Sequence, residues 1–338
     1  MSRFYEIEPS LENYWRAVIL FGNNVASYKF ALGKSLLELG AVQDDLVRLE
    51  QLAEPFSRHL CEHLQHAPKQ ITSKSSKFLD TCKSFNRGEL SQQSLIEQTV
   101  KLGFNNVIDA FHIVNRAEID TRFFIDERKT HGGIRMTEAF LQLTESEQFQ
   151  SFEHETEARW RLVEEAWGMG VSRNLVSVEY DRELKALFAS NRERRVNITS
   201  CRDSLNGYQK GHCFYCYTSI SVEPSSPLLA DVDHFLPWVL NQDIPAINGV
   251  WNLVLACPEC NRGEQGKFAR IPSLLLLERL HRRNEYLINS HLPLRETLMS
   301  QTGRTTERRA QFLQTQYNIA KQRLIHQWQP QARGEATF

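Results

Sequence analysis

Ala230-Asp231-Val232-Asp233-His234-Phe235-Leu236-Pro237 places two acids and a histidine in a short apolar stretch, and two Cys-x-x-Cys pairs bracket it. The pairs are Cys213-Phe214-Tyr215-Cys216 and Cys257-Pro258-Glu259-Cys260, the second running straight into Asn261-Arg262-Gly263. A two-residue gap lets one turn present both sulfurs to one ion, and four thiolates so spaced close a tetrahedral zinc site. About forty residues separate the pairs, more than a compact zinc ribbon needs, so something folds between the two knuckles. A closed four-sulfur site has no open coordination position and does no chemistry itself. Redox use of either pair is the alternative reading. The acid, histidine and asparagine held beside it are residue types that metal-assisted phosphodiester hydrolysis requires.

Residues 228–235 read as a strand that Pro237 ends, and residues 249–256 as a second strand entering Cys257. Cys260-Asn261-Arg262-Gly263, then Lys267, is expected to open a helix. The order is strand, strand, helix, with Asp233 and His234 on the first strand, Asn252 in the second and Asn261 where the helix begins. Tyr208, His212 and Trp238 nearby are assigned to packing.

This arrangement resembles the HNH endonucleases, also called ββα-metal nucleases. The resemblance rests on Asp233-His234 with Pro237, Asn252, and Cys257-x-x-Cys260-Asn261-Arg262-Gly263 with Lys267, and covers about residues 205–270. Asn261 stands where the family often has a second histidine, an HNN variant. The resemblance implies His234 as general base, a role suited to a group whose ordinary pKa is near 6.5. It implies Asp233 and Asn261 as ligands of a catalytic Mg2+ or Mn2+, cations that prefer oxygen donors. Asp231, two residues before Asp233 on the same strand face, is a substitute ligand or binds through water. Asn252 is implied to hydrogen-bond backbone and hold the loop that carries the base. His234 as a second zinc ligand or a core histidine is the competing assignment. Arg262 and Lys267 are candidate phosphate contacts or plain surface charges.

The bulk composition sets the frame. The chain has 338 residues, 41% hydrophobic and 24% charged, with a net charge of −1, as in an ordinary soluble protein of about two domains. No run approaches a membrane span, and the N-terminus lacks the order of a secretory signal, so a cytoplasmic protein is expected. Seven cysteines fit that compartment, and Cys61, Cys82 and Cys201 read as small buried thiols. Charge is uneven: 21 Lys and Arg oppose 28 Asp and Glu in residues 1–184, against 19 and 13 in residues 185–338. The basic half carries the motif, as contact with phosphates would favour.

Along the chain, helical periods begin at Pro9-Ser10, run from Tyr28 to a stop at Gly40, and follow Asp44-Asp45, where Pro55 is expected to kink or divide the pattern. Further helices are expected near 73–84, 91–102, 137–146 and 148–168, with a small hairpin within 122–136. Trp15, Tyr28, Phe104 and Trp160 read as packed core. The charged run Asn191-Arg192-Glu193-Arg194-Arg195 reads as a solvated helix face in which Arg194 and Arg195 are also candidate phosphate contacts. After Pro272 the chain returns to helix, with an amphipathic stretch through Phe312, Tyr317, Ala320 and Trp328.

The expected architecture is α+β: a mainly helical domain over 1–190, a zinc-stapled ββα nuclease domain over 191–272, and a helical extension over 273–338. The expected activity is hydrolysis of DNA, one strand at a time. The alternative is a zinc-stabilised nucleic-acid-binding or adaptor module without turnover. A large helical region fused to an HNH core also resembles nucleases of bacterial antiphage operons such as Septu or type II Zorya. That likeness implies a protein partner such as an ATPase or motor subunit.

Overall fold

The computed structural model of the chain describes residues 9–21, 26–40, 45–72, 75–114, 117–169, 177–181, 186–190, 195–244, 246–289, 294–331 and 333–338. They form an α+β protein in two compact units, Met1–Trp160 with Trp167–Gly170, and Arg161–Ala166 with Val171–Phe338. No helix among the described residues is long and apolar enough to cross a membrane.

The first unit packs helices α1 (Leu11–Phe21), α2 (Tyr28–Leu39), α3 (Leu49–His66), α4 (Lys77–Asn86) and α5 (Gln92–Gln98), the last continuing into a π-helical turn, Thr99–Gly103. α6 (Val107–Ala110), α7 (Glu138–Thr144) and α8 (Phe149–Met169) follow. Side-chain caps start three of them: Ser76, Ser91 and Thr137 each accept a backbone N–H three residues on, which supplies a partner for an otherwise unsatisfied donor. The expected hairpin is β4 (Phe124–Glu127) paired with β5 (Gly133–Met136). A strand not foreseen, β1 (Leu46–Arg48), adds to its other edge, so the helix expected after Asp44-Asp45 begins only at Leu49. β2 (Ile113–Val114) and β3 (Ala117–Glu118) form a separate small pair.

Pro55 does not divide α3. A proline inside a helix costs about 3 kcal/mol, but Leu52, Phe56 and Leu60 around it are wholly buried and together contribute roughly 4–9 kcal/mol. Packing wins. Trp15, Phe104 and Trp160 lie in the core as expected, and so do Cys61 and Cys82. The buried Arg16 guanidinium makes two 2.8 Å bonds to the Glu155 carboxylate, the geometry in which a buried charge is tolerable.

In the second unit, described residues around the expected domain boundary form an antiparallel meander. β6 (Ser177–Asp181), β7 (Ala186–Ser190) and β8 (Arg195–Ser200) pair in that order. Arg195 therefore lies on a strand, and Arg194 lies outside the described residues. α9 (Cys201–Gln209) follows, ending before Gly211, whose φ of +75° favours glycine. Then come β9 (Asp231–His234), β10 (Leu253–Ala256), the short α10 (Pro258–Arg262), β11 (Ile271–Pro272), α11 (Leu274–Asn289), α12 (Leu294–Thr302), α13 (Thr306–Arg323) and β12 (Gln327–Trp328). Trp328, expected in a helix, lies in β12, paired in parallel with β11. The segments 191–272 and 273–338 thus lie within one compact unit.

His112 yields a pH prediction for the first unit. It is 5% exposed, and its Nε2 accepts the Phe123 N–H at 2.9 Å. Burial, with the nearby charges of Arg122 and Lys29, pushes its pKa from 6.5 down to about 3. The folded chain therefore prefers the neutral ring, so this stability is present above pH 6.5 and is lost as pH falls toward 3. Between pH 7 and pH 5 the loss is about 2 kcal/mol from this group. Denaturant unfolding at the two pH values is expected to show His112→Gln less stable than wild type at pH 7 but losing less on acidification; equal losses would remove His112 as the cause.

Candidate metal centre and catalytic cleft

β9 and β10 pair antiparallel, with Asp231 opposite Ala256, Asp233 opposite Val254 and His234 opposite Leu253. β10 is buried throughout, as Leu-Val-Leu-Ala requires. The first strand is shorter than the sequence suggests, because residues 228–230 instead make turn and bridge contacts with Ser221. The second is shorter too: Val250–Asn252 form a 3-10 turn, so Asn252 precedes the strand. α10 begins at Pro258 with Cys257 as its cap, which puts Asn261 fourth of five residues instead of at the start. Gly263 ends the helix, since a Cβ there would lie 2.6 Å from the Glu259 carbonyl oxygen. The chain then folds back, with Lys267 N–H donating to the Cys260 carbonyl at 2.6 Å. Lys267 is not helical.

The four cysteines of the two knuckles come together. All are buried, and their sulfurs lie within 4.8 Å of one another. The Cys216 and Cys257 sulfurs are 3.8 Å apart, matching the edge of about 3.8 Å expected of a tetrahedron with Zn–S bonds of about 2.3 Å. Backbone N–H groups of Cys257 and Cys260 point at the sulfurs of Cys213 and Cys257, at 3.3 and 3.4 Å, as suits thiolates. The set fits a structural zinc ion. Among the described residues, no other group of three or more Cys, His, Asp and Glu side chains converges this way, and His234 is outside it.

The knuckle also reaches β9. Tyr215 donates its hydroxyl to Asp233 Oδ2 at 2.6 Å, and Lys267 Nζ lies 3.3 Å from Asp233 Oδ1. Burial pushes the Asp233 carboxyl up and the Lys267 ammonium down, while each one's charge pulls the other back toward the ionised form. Lys267 also donates to the carbonyls of His234 (3.0 Å) and Phe268 (3.2 Å). It is wholly buried, so it is neither the phosphate contact nor the surface charge considered for it. An isolated ammonium cannot be stably buried, but one facing a carboxylate and two carbonyls can.

His234, the next residue of the strand, has different side-chain partners from Asp233. Its Nε2 lies 2.9 Å from Asn248 Oδ1, and its ring is 5.5 Å from Trp238. The residue is 8% exposed. Asn248 escaped the sequence reading because Asn248-Gly249 resembles an ordinary turn dipeptide. Asn252 is fully buried: its side chain accepts from Leu236 N–H at 2.8 Å and donates to the Leu236 and Ile247 carbonyls at 3.0 Å each. These bonds hold the loop that follows His234. Asn261 Nδ2 donates to Asp231 Oδ2 at 3.1 Å, and Arg262 Nε donates to the same oxygen at 2.8 Å. Asp231 and Asn261 are therefore in direct contact, whereas Asp233 faces Tyr215 and Lys267. Each carboxylate already faces a protein cation.

Residues with no recognisable motif complete the support. Gln209 donates to the His212 and Leu255 carbonyls and accepts the Leu255 N–H, joining α9 to β10. Arg279 donates to the Tyr215 carbonyl at 3.0 Å and lies 4.3 Å over the Tyr217 ring. Arg283 is wholly buried against the carbonyls of Val250, Trp251 and Leu253.

Two outcomes follow from this geometry. The purified chain is expected to carry one zinc ion by elemental analysis, and Cys257→Ser to lose it and melt at lower temperature; a chelator that leaves the wild-type melting temperature unmoved would contradict this. Asn252→Asp keeps the shape but turns two donated bonds into facing acceptors, so it is expected to cost about 2–4 kcal/mol at pH 7 by denaturant unfolding. Compared with protein-family models, with curated proteins and with solved structures, the chain matches none of them.

Proposed function

We propose that the chain is a metal-dependent endonuclease of the HNH type that hydrolyses phosphodiester bonds in DNA, cutting one strand at a time. The observation that carries this reading is the gathering of Asp231, Asp233, His234, Asn252 and Asn261 on one two-stranded hairpin and its short helix, braced by a four-sulfur cluster. The choice of DNA comes from the HNH resemblance.

In this reading His234 is the general base. With Asn248 Oδ1 accepting from Nε2–H, the basic nitrogen is Nδ1, and it takes the proton of the attacking water. Asn248 fixes that tautomer and Asn252 fixes the loop beside it. Asp231, Asp233 and Asn261 would hold a divalent ion, which neutralises charge at the phosphate and at the departing oxygen. Arg262, 65% exposed at its side chain, turns toward a phosphate, a contact for which a guanidinium is well shaped. A partner such as an ATPase or motor subunit in antiphage defence belongs to the same proposal and rests on the resemblance alone, while the cytoplasmic setting is proposed from the sequence reading.

One observation favours a second reading, a zinc-stabilised binding or adaptor module. Asp231 and Asp233 are each already paired with a protein cation, Arg262 and Lys267. Cleavage of supercoiled plasmid with magnesium separates the two. The nuclease reading expects open-circle product that falls at least about a hundredfold in His234→Ala, the usual worth of a general base. Undiminished cutting by that variant removes His234 from the mechanism. DNA retained in EDTA by the zinc-loaded chain, with no cutting when magnesium is restored, supports the binding module.

A further inference from the structure

Phe268, one residue beyond Lys267, is held in an unfavourable state. Its ring is 55% exposed, although phenylalanine is among the residues most often buried. Its φ is +47°, in the left-handed region that a side chain with a Cβ occupies only at a cost. Two bonds keep it there. Its N–H donates to the Asn261 carbonyl at 3.1 Å, and its carbonyl accepts from Lys267 Nζ at 3.2 Å. Lys267, which pairs with Asp233, thus also holds the backbone of this residue. Neither burial nor backbone preference accounts for such a residue, and strain kept at a site of this kind points to a use.

Its neighbours indicate what the use is. Arg262, largely exposed, precedes it in the same turn-and-return segment. Arg270 follows two residues later, its guanidinium bonded to the carbonyls of Gln265 and Gly266. A displayed aromatic ring flanked in sequence by two guanidinium groups is the composition of platforms for single-stranded nucleic acid, where bases stack and the backbone meets positive charge.

We infer that Phe268 stacks against an unpaired base of the strand lying in the cleft, with Arg262 and Arg270 on the adjoining phosphates. The inference rests on the endonuclease reading and narrows its substrate to DNA that offers an unstacked base: single strands, or duplex opened at the cut. In an intact duplex each base face is covered by its neighbour, and exposing one costs unstacking energy.

The test uses the full-length, zinc-loaded chain with magnesium withheld, so that the strand stays whole. The probe is a single-stranded oligonucleotide carrying one fluorescent 2-aminopurine. Binding is expected to quench the probe. Phe268→Leu is expected to bind about tenfold more weakly and to quench little, and Phe268→Trp to restore both. Phe268→Gly relieves the strained φ, so it is expected to melt no lower than wild type while binding as poorly as the leucine variant. That opposed movement of stability and affinity is one that a merely structural ring would not produce. Wild-type affinity and quenching in Phe268→Leu overturn the inference. If the wild-type chain ignores single strands yet cuts duplex in a His234-dependent way, the inference fails and the endonuclease reading stands. If it neither binds nor cuts DNA, both fail.

Discussion

The hydrogen bond from Tyr215 to Asp233, with the Lys267 ammonium against the other carboxylate oxygen, joins three pieces of chain that nothing local would bring together. Tyr215 belongs to the first cysteine knuckle, Asp233 to the strand that carries His234, and Lys267 to the return after α10. All three are enclosed, where an unpaired charge costs several kcal/mol. The arrangement is therefore close to all-or-none. A knuckle that loses its shape withdraws the tyrosine, and the carboxylate then faces Lys267 without its second partner. In this way a four-cysteine cluster fit for a structural metal governs where the neighbouring strand lies.

A second constraint comes from α11. Its arginines give the C-terminal region a basic composition, yet Arg279 and Arg283 spend their charge inward. Arg283 is wholly buried and bonds three carbonyls leading into β10, and burial lowers its pKa to about 10. A guanidinium holds its proton there because its ordinary pKa is so high, whereas a lysine would lose much of that margin. The carbonyls involved belong to the turn whose Asn252 anchors the loop after His234. That loop is fixed from one side by an amide and from the other by a cation. Net charge alone thus overstates how much of this half is available to phosphates.

The motif was legible because its residue types are scarce and closely spaced: two Cys-x-x-Cys pairs, Asp233-His234 and Cys260-Asn261 announce themselves, and the pairs do converge. The helices of the first unit were legible from their period, whereas the start expected at Asp44-Asp45 gave way to a strand. What the sequence hid was decided at a distance. Lys267 reads as a surface charge until Asp233 is known to face it. The meander of β6 to β8 escaped because charged residues at 191–195 outweighed the alternation in Ser177–Asp181 and Arg195–Ser200. α3 continues through Pro55 because of burial, which no local rule reports. Asn248 and Gln209 carry no motif, only hydrogen bonds to partners remote in sequence or hidden by a turn.

The two carboxylates of the cleft are not equivalent, and the difference bears on how it could act. Arg262 holds Asp231 from an exposed position, and such a pair is worth about 0–1 kcal/mol. Releasing it costs little, so a phosphate can draw the guanidinium away and leave the carboxylate to another cation. Lys267 holds Asp233 from within, where parting the pair would strand a buried charge at a cost of about 3–5 kcal/mol. Asp233 is therefore the better brace and Asp231 the better hand. In the proposed endonuclease, an arriving phosphate would draw off the exposed cation and uncover the reachable carboxylate only as substrate enters, which would couple occupation of the site to its assembly.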